Sequence, residues 1–346
     1  MIKPYWLIGL ALVAAACSSG EVSPRGEGRV EITAGVDAPT KALTPGFDAP
    51  YGIFACLHED VPHDYLPFKP ATYNARVHGG NVNYTVSLAD GALDENNSPH
   101  FVLTSRPDVN EGADLYAYSP WMQEAWQSGP TAIPFTAGQD VMYAVQNAPA
   151  YVPGASPDRK NTNLNPALDT PPLKATFYFR HMMARLVFCF RLVNEPTSYV
   201  VTTIRVTDQN PAGGTAKLIA SGTYNAIEGT FNPGLEEAQS CDFNVPNTER
   251  LISSSTTERT MSLLLVPTSI STDDELSFTF IMADGDKFPP FVLKKEQVRH
   301  ADDTYGFRAG YTYTFHFTLD NYVYFNGFSI DENWEPAGTD LLPEEI

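Results

Sequence analysis

Basic residues are scarce in this chain of 346 residues. Lysine and arginine together number 22, against 41 aspartates and glutamates, which gives a formal net charge of −19 at pH 7. Nucleic acids and anionic lipid surfaces attract basic protein surfaces. The charge balance therefore argues against nucleic acid as a partner and against adsorption on anionic lipid.

Cysteine is also rare, with four residues at positions 17, 56, 189 and 241. The last three are odd in number and widely spaced, which is not the pattern of a disulfide framework or of a zinc site. Two of them lie within apolar, strand-like runs. We therefore predict that Cys56, Cys189 and Cys241 act as small buried hydrophobic residues.

Catalytic motifs are missing as well. The sequence has no G-x-S-x-G elbow, no phosphate-binding Gly-Lys loop and no H-E-x-x-H helix. We therefore expect no enzyme activity, no cofactor and no bound metal.

Two polar segments and one histidine are weaker candidates for a functional site. Residues 58–64 (HEDVPHD) could ligate a divalent cation, but Pro62 prevents a helix that would align the ligands, and a solvated loop fits better. Residues 284–286 (DGD) suggest calcium, but they match a hairpin turn more closely. His181, between two arginines, is interpreted as a hydrogen-bonded structural residue rather than a base.

Four aromatic residues, Tyr116, Tyr118, Trp121 and Trp126, could form a sugar-stacking platform. Tyr116 and Tyr118 alternate with Ala117, however, as do residues on one face of a strand. We therefore expect these two rings to line a sheet face, and only Trp126 to be exposed.

The N-terminus has the layout of a secretory signal. Lys3 precedes an apolar run at residues 6–16, which is too short to span a bilayer as a helix. Small residues then stand directly before Cys17, as at a site where a lipoprotein signal is cut and the cysteine is acylated. We predict a signal peptide at residues 1–16, a lipid on Cys17 and a flexible tether at 17–29; an ordinary signal peptidase site is the alternative.

The remainder of the chain has the sequence pattern of an all-β protein. A first strand is predicted where Val30, Ile32, Ala34 and Val36 alternate with small or polar residues, and an exposed loop rich in proline follows it. Many more short strands follow at spacings of about 8 to 15 residues, punctuated by 24 glycines and 28 prolines. This pattern predicts antiparallel β-sandwiches or barrels.

The segment at residues 175–193 (ATFYFRHMMARLVFCFRLV) contains two strand patterns that are out of phase. Phe177 and Phe179 occupy odd positions, whereas Leu186, Phe188 and Phe190 occupy even ones, so a bulge or turn should separate them. A proline-rich run at 151–172 resembles a linker. We therefore predict an N-terminal domain at 30–172 and a C-terminal domain at 173–346.

Short segments along nearly the whole chain, in this order and spacing, resemble the fimbrillin-like pilin precursors of anaerobic Gram-negative bacteria. These segments are 51–55 (YGIFA), 83–84 (NY), 115–121 (LYAYSPW), 140–144 (DVMYA), 177–188 (FYFRHMMARLVF), 263–267 (LLLVP), 309–313 (AGYTY) and 330–334 (IDENW). The resemblance implies two tandem β-sandwich domains of transthyretin-like topology and export as an outer-membrane lipoprotein. It also implies that a trypsin-like surface protease removes the N-terminal strand and that a strand of another subunit fills the vacated groove.

The cleavage site is where this sequence departs from the family pattern. Thr40, Lys41 and Ala42 stand where the family commonly has Thr-Arg-Ala, so an Arg-specific protease would not cut there. Cutting at Lys41 would release the first strand, whereas cutting at Arg25 or Arg29 would sever only the tether. The strand that enters the next subunit is expected from residues 322–330 rather than 311–319, because the latter segment is regular and apolar enough to be core.

Two functional interpretations follow from these patterns. The first is a cell-surface fimbrial subunit, or a tip or anchor component, that polymerises with copies of itself or with other subunits, supports adhesion to a host or bacterial surface ligand and starts as an outer-membrane lipoprotein. The alternative is a surface glycan-binding lipoprotein, which would need exposed aromatic rings on one face.

Overall fold

The structure is a computed structural model, and its description covers part of the chain. The described residues are 27–36, 44–45, 49–57, 73–78, 81–86, 93–94, 101–104, 113–145, 173–193, 198–209, 218–253, 258–273, 275–320 and 322–331.

Strands dominate the described residues. The first half contains β1 (Glu27–Val36), β2 (Thr44–Pro45), β3 (Tyr51–Leu57), β4 (Tyr73–His78), β5 (Asn81–Val86), β6 (Leu93–Asp94), β7 (Phe101–Thr104), β8 (Ala113–Ser119), β9 (Ile133–Thr136), β10 (Met142–Val145) and β11 (Leu173–His181). The second half contains β12 (Ala184–Leu192), β13 (Tyr199–Asp208), β14 (Leu218–Asn225), β15 (Thr230–Phe231), β16 (Glu236–Ala238), β17 (Ser240–Asn244), β18 (Leu251–Ile252), β19 (Arg259–Leu265), β20 (Thr268–Ser269), β21 (Leu276–Met282), β22 (Phe291–Val292), β23 (Gly306–Phe307), β24 (Thr312–Leu319) and β25 (Val323–Asp331).

Helical structure in the described ranges is limited to two single turns. They are an α-helical turn, α1 (Ala125–Ser128), and a 3-10 turn at Lys295–Val298. Among the residues that can be placed, no helix is both long and apolar enough to cross a membrane. The prediction of an all-β protein is confirmed.

The strands of the first half, apart from β9, form one wide sheet. Its order is β2-β1-β11-β10-β8-β3-β4-β5-β6, and β7 pairs with the beginning of β1. Most neighbours are antiparallel, as hairpin connections require. Strand β1 runs parallel to β11, and β12 likewise runs parallel to β24. Purely antiparallel sheets were expected, and this expectation is wrong for these two pairs, because the long stretches of chain between the partners allow the second strand to return in the same direction.

The chain changes sheet where the two strand patterns lose phase. Strand β11 ends at His181 and pairs with β10 and β1 in the wide sheet, whereas β12 begins at Ala184 and pairs with β19 and β24 in another. The predicted interruption between the two patterns is confirmed. The division into domains at residues 172 and 173 stays a prediction; the change of sheet itself lies at Met182 and Met183.

Two sheets of the second half pack face to face. One has the order β19-β12-β24-β25 and the other has the order β17-β13-β21-β22, with β18 beside β13. Phe188 and Phe190 of β12 are fully buried between them, and the Phe188 ring centroid lies 5.2 Å from that of Phe278 and 5.4 Å from that of Phe280. The apolar faces of the two sheets therefore form the main hydrophobic core.

A second hydrophobic cluster joins residues from both halves of the chain. Strand β9 of the first half pairs with β14 of the second, and Phe54, Tyr118, Met182, Tyr224 and Val266 belong to one buried cluster. The two halves therefore share apolar contacts as well as a pair of strands.

Candidate site at the first and last strands

Strand β1 lies near one end of the wide sheet and has a long, regular partner on one side. It pairs with β11 over seven consecutive positions, from Val30 opposite Leu173 to Val36 opposite Phe179. On its other side it has only short partners among the described residues: β7 opposite its first four residues and β2 opposite its last two. The backbone of β1 is therefore anchored mainly by β11.

Strand β11, the neighbour of β1 in the sheet, belongs to the core. Phe177 and Phe179 of β11 are fully buried, and the Tyr51 ring lies edge-on to both, at centroid distances of 6.5 and 5.2 Å. Tyr178, on the opposite face of β11, is buried too. Loss of β1 would thus uncover the backbone edge of a strand whose side chains remain packed on both faces.

The residues predicted to be released fall on this strand. Val30, Ile32, Ala34 and Val36 all lie in β1, where Ala34 is half-buried, and the side chains of the other three are outside the described part. The chain turns back after β1 so that Val36 pairs with Thr44. The connection between them contains the predicted cleavage residue Lys41.

The other predicted cleavage residues differ in position. Lys41 and Arg25 lie outside the described residues, as does the predicted lipidation residue Cys17. Arg29 lies within β1, opposite Val102 of β7. A protease needs an unpaired, extended substrate, so the backbone of Arg29 is accessible only once this pairing has opened.

The last described strand lies at the edge of its sheet. Strand β24 occupies an interior position between β12 and β25, and its residues alternate regularly between half-buried and buried. Strand β25 pairs with β24 alone among the described strands. No other described strand lies beyond β25, so within the described ranges it forms one edge of this sheet.

Three aromatic side chains project into solvent at this edge. Tyr322 is 61% exposed, Tyr324 is 50% exposed and Phe328 is 43% exposed. Large apolar surface exposed along a sheet edge is typical of a place where proteins bind one another. The sequence pattern alone did not identify these rings as exposed, since an alternating strand can be either interior or at an edge.

The segment at residues 284–286 is a hairpin turn, as predicted. The N–H of Asp286 donates to the Asp284 carboxylate at 3.0 Å, and the N–H of Gly285 donates to the carbonyl of Met282 at 3.0 Å. Gly285 adopts a φ of +90°, which glycine accommodates without strain. The Asp284 carboxylate thus accepts a hydrogen bond from the backbone of the turn. The other cation candidate, residues 58–64, lies outside the described residues.

His181 is a buried structural residue. Its Nδ1 lies 2.7 Å from the Oδ1 of Asp140, which links the end of β11 to the loop before β10. The predicted hydrogen bond of this histidine is therefore present, with Asp140 as its partner.

The aromatic residues considered for sugar stacking are mostly interior. Tyr116 and Tyr118 are buried, and the Tyr118 hydroxyl donates to Asn74 at 2.9 Å. Burial raises the pKa of Tyr118 well above its ordinary value. The Arg76 guanidinium lies 5.3 Å from the centre of the Trp121 ring. The side chain of Trp126, in α1, is outside the described part.

Two cysteines are free and buried, as predicted. Cys189 lies in β12 and Cys241 in β17, and burial raises the pKa of both thiols. The side chain of Cys56, in β3, is not described.

Comparison with models of known protein families finds one match for this chain. A family model described as fimbrillin-like matches residues 69–334, which is more than half of the chain. A search of curated proteins finds no match to this chain.

Several solved structures are similar at low sequence identity. A proposed cell adhesion protein of Bacteroides ovatus is 14% identical, with a TM-score of 0.49 over 90% of this chain and 100% of that one. A second one, of Bacteroides uniformis, is 15% identical, with a TM-score of 0.47 over 88% and 98%. The tip fimbrial protein Mfa3 of Porphyromonas gingivalis is 9% identical, with a TM-score of 0.39 over 89% and 100%.

Proposed function

The chain belongs to the fimbrillin-like family, and from this premise we propose that it is a non-enzymatic subunit of cell-surface fimbriae that supports adhesion. It acts as a stalk, tip or anchor component and assembles with copies of itself or with other fimbrial subunits. The observation that carries the proposal is the combination of a first strand, β1, held mainly by one partner with a last strand, β25, that pairs with β24 alone among the described strands.

Assembly proceeds by strand exchange. A trypsin-like protease cuts the loop after β1 at Lys41, and β1 leaves the edge of β11. Seven paired positions then lose their partner, and each buried backbone group left without a hydrogen bond costs roughly 1 to 3 kcal/mol. A strand from another subunit restores these bonds, and the driving force for polymerisation is the removal of this penalty.

The incoming strand is supplied by β25 rather than β24. Moving β24 would expose the buried side chains of Tyr313, Phe315 and Phe317 and break pairings on both of its sides. Moving β25 breaks pairing on one described side. Its Tyr324 and Phe328 are exposed, and Phe325, which packs against Phe317, is only half-buried, so less buried surface is lost than on moving β24. The donor in the proposed polymer is therefore the segment at residues 322–330.

The proposal is tested directly by measuring whether this protein forms polymers at the cell surface. Surface preparations run on semi-denaturing gels should give a ladder of polymers that an antibody against this chain detects. Dissociation of the ladder on boiling is expected, since strand exchange is non-covalent. A single monomeric band in preparations where other fimbriae stay polymeric would contradict a role as a polymerising subunit.

The alternative is a surface glycan-binding lipoprotein. The observation that favours it is the row of exposed aromatic rings at Tyr322, Tyr324 and Phe328, which could stack on sugars. Polysaccharides that retard the wild-type protein in a native gel, but not a Tyr322→Ala/Tyr324→Ala variant, would support this function. If no polysaccharide changes the mobility of the wild-type protein and a polymer ladder is present, the results support the function as a fimbrial subunit.

The precursor reaches the outer membrane as a lipoprotein through Cys17. Cys17→Ala should shift the protein out of the membrane fraction and abolish labelling by a fatty-acid analogue, because the thiol that carries the lipid is gone. Cys56→Ala, which leaves the predicted lipidation site intact, is the matched control. Unchanged labelling in the Cys17 variant would remove the lipid anchor from the account.

A further inference from the structure

A cysteine, a histidine and a glutamate meet on the outer face of the sheet that contains β12 and β24. Cys189 and His316 are directly opposite each other in this parallel pair, and Glu258 immediately precedes β19, whose Thr260 is opposite Cys189. One potential ligand atom from each of the three, a thiol sulfur, an imidazole nitrogen and a carboxylate oxygen, lies within 4.8 Å of the other two.

Alternation along the strands explains why these side chains share a face. Phe188 and Phe190 flank Cys189 and point into the core, and Phe315 and Phe317 flank His316 in the same way. Successive side chains of a strand point to opposite faces, so Cys189 and His316 point away from the core. His316 and Glu258 line a shallow, solvent-facing pocket on this face, and Cys189 lies beside His316 on the neighbouring strand.

The edge strand keeps this pocket open. The residue opposite His316 in β25 is Gly327, which has no side chain, and the register shifts at this point by a β-bulge. Arg191, Thr318, Asn326 and Phe328 complete the lining together with Gly327. The cluster is therefore accessible to a small ion from solvent, although Cys189 itself is largely buried.

We propose that Cys189, Glu258 and His316 form a binding site for a divalent transition-metal ion of the zinc type. Zinc binds sulfur, nitrogen and oxygen donors in four-coordinate geometry, and three protein ligands would leave one position for water or for a donor from a partner. Calcium and magnesium prefer sites made of oxygen atoms alone, so this mixed set disfavours them.

The metal would change the local charge balance. In its absence, the Arg191 guanidinium lies 3.5 Å from the Glu258 carboxylate. A bound metal ion deprotonates a coordinating thiol and competes with the arginine for the carboxylate. Arg191 therefore opposes metal binding, and its removal should tighten it.

Titration of the purified chain with ZnCl₂ by calorimetry tests the proposal. The wild type should bind one Zn²⁺ per chain at this site. Cys189→Ser, His316→Asn and Glu258→Gln should each weaken that binding by about 100-fold or more, because even residues outside the first coordination sphere typically contribute roughly 10- to 100-fold. Co²⁺ in place of Zn²⁺ should give a thiolate-to-metal charge-transfer band that Cys189→Ser abolishes.

Matched variants separate this site from other metal-binding groups. Cys241→Ser, at the other described free cysteine, should leave affinity unchanged, and Arg191→Gln should increase it. Circular dichroism checks that each variant is folded, and His316→Asn changes a partly exposed residue, so the test does not depend on the buried cysteine. Unchanged affinity in His316→Asn and Glu258→Gln, or a Co²⁺ complex without the charge-transfer band, would overturn the proposal.

Discussion

Replacing Lys41 by alanine should keep the trypsin-treated protein monomeric under conditions in which the treated wild type polymerises. Without this cut, β1 remains covalently joined to the strand that follows and stays paired with β11 over its seven positions. The edge of β11 is then never free, and an incoming strand has nowhere to pair. Size-exclusion chromatography with light scattering measures the effect, which should be a nearly complete loss of polymer.

Two further variants distinguish the role of the cut at Lys41, which frees the edge of β11, from the role of β25, the strand that enters the next subunit. Arg25→Ala/Arg29→Ala removes the cuts in or near the tether but leaves Lys41, so it should polymerise like the wild type. A chain that ends at residue 321 lacks β25; it should be cut at Lys41 and yet remain monomeric. Polymerisation of the Lys41→Ala chain to the wild-type extent would show that release of β1 is not required.

Phe188→Ala should destabilise the protein by about 3 to 5 kcal/mol, the usual cost of truncating a large aromatic side chain in a core. The Phe188 ring is fully buried and lies within 6.4 Å, centroid to centroid, of four other phenylalanine rings, at positions 278, 280, 315 and 317. The cavity would lie in the middle of the interface between the two sheets. Urea unfolding monitored by circular dichroism gives the free energy.

Tyr324→Ala is the matched control, because this ring is on the same sheet but 50% exposed. It should change the free energy of unfolding by no more than about 0.5 kcal/mol. Equal losses in the two variants would contradict the assignment of the core. If the second half is a domain, limited proteolysis of the Phe188→Ala chain should remove it before the first half.

Local alternation predicted the strands whose two faces differ. The burial of Tyr313, Phe315 and Phe317 in β24 follows directly from the period of two, as does that of Phe188 in β12. The break in phase near His181 likewise indicated where one strand ends and the next begins. These features depend on neighbours in sequence, and one sequence is enough to see them.

Pairing between distant strands could not be predicted in this way. The pattern in β1 indicates a strand but says nothing of its parallel partner β11, which begins at Leu173. The cluster of Cys189, Glu258 and His316 depends on two such long-range pairings and on their register. A shift of one residue in either register would turn the side chains to the opposite face, so the cluster could be found only in the structure.

The central claim is that a cut after β1 releases this strand and lets another subunit take its place. The most direct measurement is mild trypsin treatment of the purified precursor, followed by N-terminal sequencing and sizing of the same sample. Strand release should give a new N-terminus at Ala42, loss of the fragment that carries β1 and the appearance of polymers. A mature N-terminus at Val30 with no change in assembly would contradict strand release and would instead indicate a terminal, anchor-like subunit.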